Sequence, residues 1–544
     1  MVFGMGGGTS SYREVEETDC ILLWGSNARE THPIFFHHVL KGLKRGARLF
    51  AIDPRRTTSA QWADVWAGLD VGTDVALANA IGREIIAAGL VNAEFVTHAT
   101  EGFEAYRSAV ESWTLERASA ITGVPAGVIR RIAHEYATAE RAMLCWTLGV
   151  TEHHHAVENV LSMVNLVLLT GHVGRWGSGM NPLRGQNNVQ GGGDMGALPD
   201  RLPGFQHVED QEARRKFERA WGVSIPPTRG WHLSAMFDAM ERGELKAVYV
   251  IGENPVQSEA DQQRVARLMG DLEFLVVQDL FITDTAALAN VVLPAAVGTF
   301  ECGGTVTSSE RRVQRCRRTL DPPEGARDDL AIVFDMARAL GHEWGTPDPE
   351  AVWDELRSLS PLHAGMRYAR LDEHHGLSWP CYDESHPGEA FLHARLWERP
   401  IVGPRAPFNV VDYRGSAEAL TEEYPIRLTT GRRLEEYNTG VQSSLYASPI
   451  RRGGTIDLSP EDARHYGIAS GDLVRVVSRR GEVLAPAYID VGLRPGLAFM
   501  TLHYPGQVPT NRLTIDVTDP RAGTAEFKAT AIRIEKASPA VTTS

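Results

Sequence analysis

The residues of clearest chemical interest lie at positions 181–199, in the run NPLRGQNNVQGGGDMGALP. One cation, Arg184, stands among amide side chains and the consecutive glycines at 191–193. A guanidinium can hold a carboxylate with two hydrogen bonds, amides offer donors and acceptors, and glycines let the backbone approach a ligand closely. So many glycines predict a loop rather than a helix. The run is therefore either a polar surface loop or a pocket for a small anion.

The pocket is favoured because the run RGQNNVQG, with GGDMGALP after it, resembles a known active-site loop. It is similar to that of formate dehydrogenase catalytic (alpha) subunits, in the molybdopterin oxidoreductase superfamily. In that family the matching residues, here Arg184 and Gln186, line the substrate pocket, and the arginine orients formate. The resemblance implies oxidation of formate to carbon dioxide at a molybdenum or tungsten ion on two molybdopterin guanine dinucleotides.

Composition limits the partners of this chain. It has 544 residues, a formal net charge of −14 and no block rich in Lys or Arg. Nucleic acid and anionic membrane surfaces are therefore not expected partners. The apolar run at 160–169 is too short and too polar to span a membrane, and the first residues do not resemble a secretory signal. We expect a cytoplasmic protein with no membrane insertion.

Cysteine and histidine patterns do not predict a metal site. No two of the cysteines have the close spacing of a metal-ligand pair, so reduced and mostly buried thiols are expected, without an iron–sulfur cluster in this chain. Consecutive histidines point in different directions, so His153, His154 and His155 are predicted to begin a helix or lie at the surface. The cysteines are Cys20, Cys145, Cys302, Cys316 and Cys381.

The first part of the chain has the pattern of a doubly wound α/β sheet. Apolar strands are predicted at 20–26, 47–54 and 142–150, with helices at 32–46, 75–90 and 115–138. Ligands of such sheets bind at the carboxyl ends of the strands. There is no GxGxxG motif, so an ordinary nicotinamide cofactor is not indicated.

Short turns after these strands resemble the family's contacts to one guanine dinucleotide. A carboxylate can accept from guanine N–H groups, and backbone amides with an arginine can meet a pyrophosphate. Each turn alone is an ordinary turn; several at the family's intervals favour a cofactor site. By this resemblance the contacts are Gly25, Asn27, Asp53, Arg55, Gly72, Asp74, Gly149 and Thr151.

A second α/β unit is predicted from strands at 247–255, 273–279 and 289–295. It resembles the family's site for the other dinucleotide, although the same residues could be simple strand-end turns. The charged segment at 301–321 is predicted to be a solvated strand edge or a subunit contact. The implied cofactor contacts are Gly252, Asn254, Pro255, Gln278, Asp279 and Thr283.

After residue 404, short alternating strands predict a small β-barrel, which in the family is a double-psi barrel that covers both pterins. Glu436 stands where some members have His. The implied contacts are Gly431, Arg432, Tyr437, Asn438, His503, Asn511 and Lys528. The predicted fold class is α/β, with two Rossmann-like parallel-sheet domains at 1–186 and 187–404, the latter with an irregular insert, followed by the barrel at 405–544.

Family members also carry an iron–sulfur domain, an electron-relaying lysine and a metal-ligating cysteine or selenocysteine before the position that matches Met1. This chain is therefore expected to be N-terminally incomplete or to need a separate iron–sulfur polypeptide, in addition to an electron-transfer subunit. A non-catalytic relative that binds the pterin dinucleotide is the main alternative, and the RGQNNVQG run disfavours a nitrate reductase. The sequence does not choose between molybdenum and tungsten or identify the final electron acceptor.

Overall fold

The first α/β unit is built on a five-stranded parallel sheet, in a computed structural model that describes residues 2–434, 436, 438 and 452–537. The strand order is β3-β2-β1-β5-β6. Its strands are β1 (Cys20–Trp24), β2 (Arg48–Ile52), β3 (Val65–Ala67), β5 (Ala142–Trp146) and β6 (Gly179–Pro182), and β4 (Thr100–Glu101) lies outside this sheet.

Helices cover both faces of this sheet because its strands are apolar on both sides. Alternate residues of β1 point to opposite faces: Ile21 packs with Phe35 on one side, and Leu22 belongs to the larger core on the other side. The helices are α1 (Ala28–Thr31), α2 (Pro33–Lys44), α3 (Asp74–Ala87), α4 (Ala93–Ala99), α5 (Phe103–Val110), α6 (Leu115–Thr122), α7 (Ala126–Thr138), α8 (Leu148–Thr151) and α9 (Ala156–Thr170).

The predicted strand–helix–strand pattern is confirmed, with two corrections near the site. The strand predicted at 142–150 ends at Trp146, and α8 follows because the backbone of Gly149 packs directly against Gly25. The run at 181–199 is not entirely a loop, since α10 (Val189–Asp194) crosses it. There the hydrogen bond from the Gln190 side chain to Asp194 and burial of the helix outweigh the low helix propensity of glycine.

The second α/β unit is a three-stranded parallel sheet, as predicted, in the order β11-β10-β9. It is preceded by β7 (Arg201–Leu202), β8 (Gln206–His207), α11 (Gln211–Trp221) and α12 (Leu233–Glu241). Its elements are β9 (Ala247–Ile251), α13 (Pro255–Ser258), α14 (Gln262–Gly270), β10 (Phe274–Asp279), α15 (Asp284–Ala287) and β11 (Val291–Pro294).

The charged segment at 301–321 is not simply a solvated edge. It forms an antiparallel sheet, and Arg311, in the turn between its first two strands, is fully buried and donates hydrogen bonds to the carbonyls of Gly8 (2.7 Å) and Ala390 (2.8 Å). Arg311 therefore fixes the glycine-rich start of the chain. This region contains β12 (Gly304–Thr307), β13 (Arg312–Cys316), α16 (Asp329–Ala339), α17 (Pro349–Leu359), α18 (Tyr368–Glu373) and β14 (Leu377–Ser378).

A closed six-stranded barrel forms the last part of the described chain, in the order β16-β20-β17-β19-β18-β21. Before it, β15 (Ala406–Pro407) pairs with β4 of the first unit. The barrel elements are β16 (Ile426–Gly431), β17 (Ile456–Leu458), α19 (Pro460–His465), β18 (Leu473–Val477), β19 (Glu482–Ile489), β20 (Leu497–Thr501) and β21 (Thr530–Lys536).

The predicted fold class, two parallel-sheet units followed by a β-barrel, is confirmed. The domain boundaries at residues 186 and 404 stay predictions. Within the described ranges, none of the helices combines the length and the apolar character that crossing a membrane requires.

Candidate functional site

A cavity of about 860 Å³ lies between the carboxyl ends of the first sheet's strands and the barrel. Gly25 follows β1, Asp53 follows β2 and Arg184 follows β6, while Gly431 and His503 come from the barrel side. Parallel strands bring their carboxyl ends to one edge, which is why residues distant in sequence meet here. The predicted site residues that line the cavity are Gly25, Asn27, Asp53, Arg55, Gly72, Asp74, Gly149, Thr151, Arg184, Gln186, Gly431, Arg432, Asn438, His503 and Lys528.

Arg184 is held mainly by backbone contacts. Its Nη2 atom donates to the Gly6 carbonyl at 3.0 Å, and its own backbone N–H donates to Ser309 Oγ at 3.0 Å. Its Nε atom is buried and has no hydrogen-bond partner among the described residues. Burial lowers the pKa of this guanidinium, and the charge of Asp194 opposes that shift. An orphaned buried donor on the cavity wall fits an anionic ligand.

Among the described residues, three more cations line the same cavity. Lys528 Nζ lies 2.6 Å from Glu152 and donates to the Thr430 carbonyl at 3.0 Å. The Arg55 guanidinium lies 3.6 Å from the centre of the Phe499 ring. Arg432 approaches so closely that a Cβ on Gly185 would lie 2.7 Å from its Nη1 atom. Together with Arg184 these residues form a cationic wall suited to a phosphate-bearing ligand.

Two glycines form a cradle where β1 and β5 end. Gly25 has φ +54°, and a Cβ there would lie 2.8 Å from the Gly149 carbonyl carbon. A Cβ on Gly149 would lie 2.5 Å from the Gly25 oxygen. Thr147 Oγ1 also donates to this oxygen at 2.6 Å. Only glycine permits this backbone contact, which keeps the strand ends open toward the cavity.

Buried carboxylates and an amide stand beside the cradle. Asp53 accepts from the backbone N–H of Arg55 at 2.9 Å, and Asp74 accepts from Trp24 Nε1 at 2.7 Å. Burial raises the pKa of both carboxyl groups. Asn27 Oδ1 accepts from Ser59 Oγ at 2.9 Å, so this amide oxygen also holds the fold together. The carboxylates can accept further hydrogen bonds from a ligand's N–H groups.

The histidine trio is not a surface feature, and this corrects the sequence interpretation. His153 and His155 are buried, and only the placement of His155 just before α9 matches the prediction. Glu526, fully buried, lies 3.1 Å from His153 and 3.2 Å from His154. Burial alone would lower the pKa of His153 and raise that of Glu526. The charge of each partner and the hydrogen bonds between them outweigh burial, so the pKa of His153 is raised and that of Glu526 is lowered. The ion pair ties the first unit to the barrel.

The predicted contacts of the second unit lie outside the lining of this cavity. Asn254 Oδ1 accepts from Thr285 Oγ1 at 2.7 Å, and Asn511 Nδ2 donates to the carbonyls of Gln257 (3.0 Å) and Ser258 (2.9 Å). These side chains join β9 to its neighbours and to the barrel. The residues outside the lining are Gly252, Asn254, Pro255, Gln278, Asp279, Thr283 and Asn511, whereas Tyr437 lies outside the described residues.

Sequence reasoning missed some cavity residues near this unit and near Arg184. Glu259 lines the cavity beside Glu253, which belongs to the predicted turn at 252–255, and burial together with the Glu253 charge raises the pKa of Glu259 to about 8. His32 also lines it, and burial and the Arg432 charge lower its pKa to about 4, although hydrogen bonds to the backbone of Arg184 and Leu183 act in the opposite direction. His32 precedes the proline at the start of α2 and belongs to no recognisable motif, so no sequence signal indicated its place in the cavity.

Comparison with known proteins identifies the class. A family model described as molybdopterin oxidoreductase matches residues 5–339, and one described as molydopterin dinucleotide binding domain matches residues 426–531. The chain belongs to the molybdopterin oxidoreductase family, as its sequence predicted.

Two similar relatives are formate dehydrogenase proteins. The F420-dependent formate dehydrogenase subunit alpha of Methanocaldococcus jannaschii is 39% identical over 538 residues, which are 98% of this chain and 79% of that protein. Formate dehydrogenase H of Escherichia coli is 36% identical over 539 residues, covering 98% and 75%. Acetylene hydratase from Pelobacter acetylenicus has a similar structure, with a TM-score of 0.75, 20% sequence identity and coverage of 97% of this chain and 79% of that one. That structural likeness concerns the fold alone.

The residues of the cavity fit the family's cofactor. A pyrophosphate-linked dinucleotide needs cations, close backbone approach and carboxylates for its base, and the wall with Arg55, Arg432 and Lys528, the cradle at Gly25 and the buried Asp53 offer these groups. The orphaned Nε atom of Arg184 remains for a further anionic group.

Proposed function

We propose that this chain oxidises formate to carbon dioxide beside Arg184, with a bis-molybdopterin guanine dinucleotide cofactor that carries molybdenum. The observation that carries the proposal is the partly buried guanidinium of Arg184, whose buried Nε atom has no protein partner among the described residues and which shares a cavity with three other cations of the described chain. The names of the relatives support formate as the substrate.

The chain's own residues would bind and orient the substrate. The formate carboxylate accepts from the Arg184 guanidinium, and the Gln186 amide on the same cavity wall offers another donor. The low-dielectric surroundings strengthen this ion pair relative to one in water. Oxidation of formate releases carbon dioxide, one proton and two electrons, and the bound metal centre supplies the acceptor for those electrons. Neutral carbon dioxide no longer pairs with Arg184, so it can leave.

The cofactor would be held by the remaining cavity residues. Lys528, Arg55 and Arg432 would neutralise the pyrophosphate groups, and Asp53 and Asp74 would accept hydrogen bonds from a guanine. The other dinucleotide would use the carboxyl edge of the second unit, where Glu253, Ser258 and Glu259 already line the cavity. An electron-transfer subunit, and a separate iron–sulfur polypeptide where the chain needs one, would carry the electrons away in the cytoplasm.

Formate-dependent reduction of an artificial dye by the protein purified from its own source tests this function. We expect formate to reduce the oxidised dye, and we expect nitrate, added with pre-reduced dye, to cause no oxidation of that dye. A protein that contains metal and pterin but reduces no dye with formate would favour the non-catalytic, cofactor-binding alternative. Oxidation of pre-reduced dye by nitrate, without dye reduction by formate, would contradict the formate assignment.

A further inference from the structure

Behind Arg184 lies a buried carboxylate that the proposed chemistry does not use. Asp194, the last residue of α10, is fully buried and accepts two hydrogen bonds, one at each oxygen. Gln190 Nε2 donates to Oδ1 at 2.7 Å, and Trp379 Nε1 donates to Oδ2 at 2.7 Å. Both partners are donors in this geometry, so each oxygen of the carboxylate accepts one side-chain hydrogen bond.

The Gln190 amide connects this carboxylate to the substrate-binding arginine. Its Nε2 atom, which bonds to Asp194, also donates to the Gly6 carbonyl at 3.3 Å. Arg184 Nη2 donates to the same carbonyl at 3.0 Å. A carbonyl oxygen has two lone pairs, so Gly6 can accept both hydrogen bonds at once. The contacts form one path from Asp194 through Gln190 and Gly6 to Arg184.

The orientation of the Gln190 amide decides whether its NH₂ group or its oxygen faces the Gly6 carbonyl. Gln190 is 1% exposed, and its Oε1 atom has no hydrogen-bond partner among the described residues. If the amide turned over, Oε1 would face the Gly6 oxygen and repel it. The acceptor at Asp194 Oδ1 prevents this, because it can pair only with the amide's N–H side.

We propose that Asp194 is a positioning residue for substrate binding, acting by orienting Gln190 and so fixing the Gly6 carbonyl that holds Arg184. This inference rests on the proposed function, since it concerns the same arginine. The Trp379 contact is a separate branch that ends at the other oxygen of the carboxylate. Burial raises the pKa of Asp194 to about 6, and the hydrogen bonds and Arg184 oppose that rise, which is consistent with a carboxylate kept as an acceptor by its neighbours.

Asp194→Asn replaces one carboxylate oxygen by an NH₂ group, which must face either the Trp379 or the Gln190 donor. Where it faces Gln190, that hydrogen bond is lost and the Gln190 branch is weakened. We expect the KM for formate to rise about tenfold, equivalent to ~1.4 kcal/mol, with kcat changed less than about twofold per metal bound. Gln190→Met, which removes the donors at similar length, should give the same result, and the Asp194→Asn/Gln190→Met double variant should be no worse than either single change.

Trp379→Phe is the matched control because it removes only the other branch. Alone it should leave the KM within about twofold of the wild-type value. In combination with Asp194→Asn it should restore binding, since the single Asn oxygen is then free to accept from Gln190. If Asp194 served only general stability, the double variant would instead show the sum of the losses measured for Asp194→Asn and Trp379→Phe.

Crystal structures of the wild-type and Asp194→Asn proteins give a second readout that needs no activity. We expect Arg184 Nη2 to leave the Gly6 carbonyl in Asp194→Asn and to return in the double variant with Trp379→Phe. An unchanged Arg184 in Asp194→Asn would overturn the inference. The inference would also be overturned if the wild-type enzyme is active and neither Asp194→Asn nor Gln190→Met changes the KM for formate. A cofactor-loaded wild-type protein without formate oxidation would refute the proposed function, and the arginine position would then decide this inference separately.

Discussion

Replacing Arg184 tests the substrate-binding account most severely. Arg184→Leu would leave the formate carboxylate without its cation in a buried site where Nε has no partner among the described residues. Leaving one member of a buried charge pair alone costs about 3–5 kcal/mol. This corresponds to a loss of roughly two to three and a half orders of magnitude in kcat/KM. Arg184→Lys keeps the charge but loses the planar fork, so its loss should be smaller, roughly tenfold.

The assay is steady-state dye reduction with formate, normalised to bound metal so that lost cofactor is not mistaken for lost binding. Arg201→Leu is a suitable control, because Arg201 lies in the following segment, pairs with Asp200 and does not line the cavity. It should change kcat/KM less than about threefold. An Arg184→Leu protein with full metal content and nearly wild-type kcat/KM would refute the assignment of Arg184.

Three further predictions concern the cofactor wall, the glycine cradle and the buried ion pair. Lys528→Met removes a cavity cation, so less metal and less guanine nucleotide should be recovered per chain. Gly25→Ala places a methyl group 2.8 Å from backbone at φ +54°, so the free energy of unfolding should fall by about 2–4 kcal/mol, measured by denaturant titration. The pKa of Glu526 is lowered in the folded state beside His153. Its stabilisation is therefore present above the unfolded pKa of about 4.3 and is lost as the pH falls below that value, and Glu526→Gln should abolish this part of the pH dependence of Tm.

Each of these predictions has an internal control. Gly89 has φ +69° with open space around its Cβ position, so Gly89→Ala should destabilise the protein by strain alone and less than Gly25→Ala. Equal losses at the two glycines would contradict the close-contact argument. Lys536, paired with Asp472 on the barrel surface, serves as the control for Lys528, and Lys536→Met should leave the cofactor content unchanged. A Tm that falls with pH in the same way in wild type and Glu526→Gln would contradict the role of the ion pair.

Both Glu526 and His153 titrate, so stability also depends on the pH at which His153 loses its proton. The pKa of His153 is raised in the folded state, so its contribution is present below the unfolded pKa of about 6.5 and is lost as the pH rises through the folded value. The pair should therefore stabilise the protein most between these two limits.

The sequence predicted the elements and residues whose signals are local. Apolar runs such as Cys20–Trp24 were sufficient for the parallel sheet, and the motif around Arg184 indicated a residue that does line the cavity. Local patterns could not predict partners that are distant in sequence. Glu526 meets His153 across 373 positions, and Arg311 is buried because the start of the chain folds over it. No spacing rule contains that information.

Tertiary contacts also changed local structure. The glycines at 191–193 predict a loop, yet the helix Val189–Asp194 forms because its polar side chains bond to each other and the segment is buried. The cofactor contact of Asn254 stays a prediction, and the sequence did not indicate that its amide oxygen accepts a hydrogen bond from Thr285 Oγ1. Whether a polar strand-end residue faces a ligand or its own fold depends on the neighbours that packing brings to it.

The most direct test of the central claim is the conversion of ¹³C-labelled formate by the protein purified from its own source, with labelled carbon dioxide and reduced dye measured together. We expect one labelled carbon dioxide for each pair of electrons delivered to the dye, and a loss of both in Arg184→Leu. Protein that contains the metal and the guanine dinucleotide but releases no labelled carbon dioxide would contradict that claim.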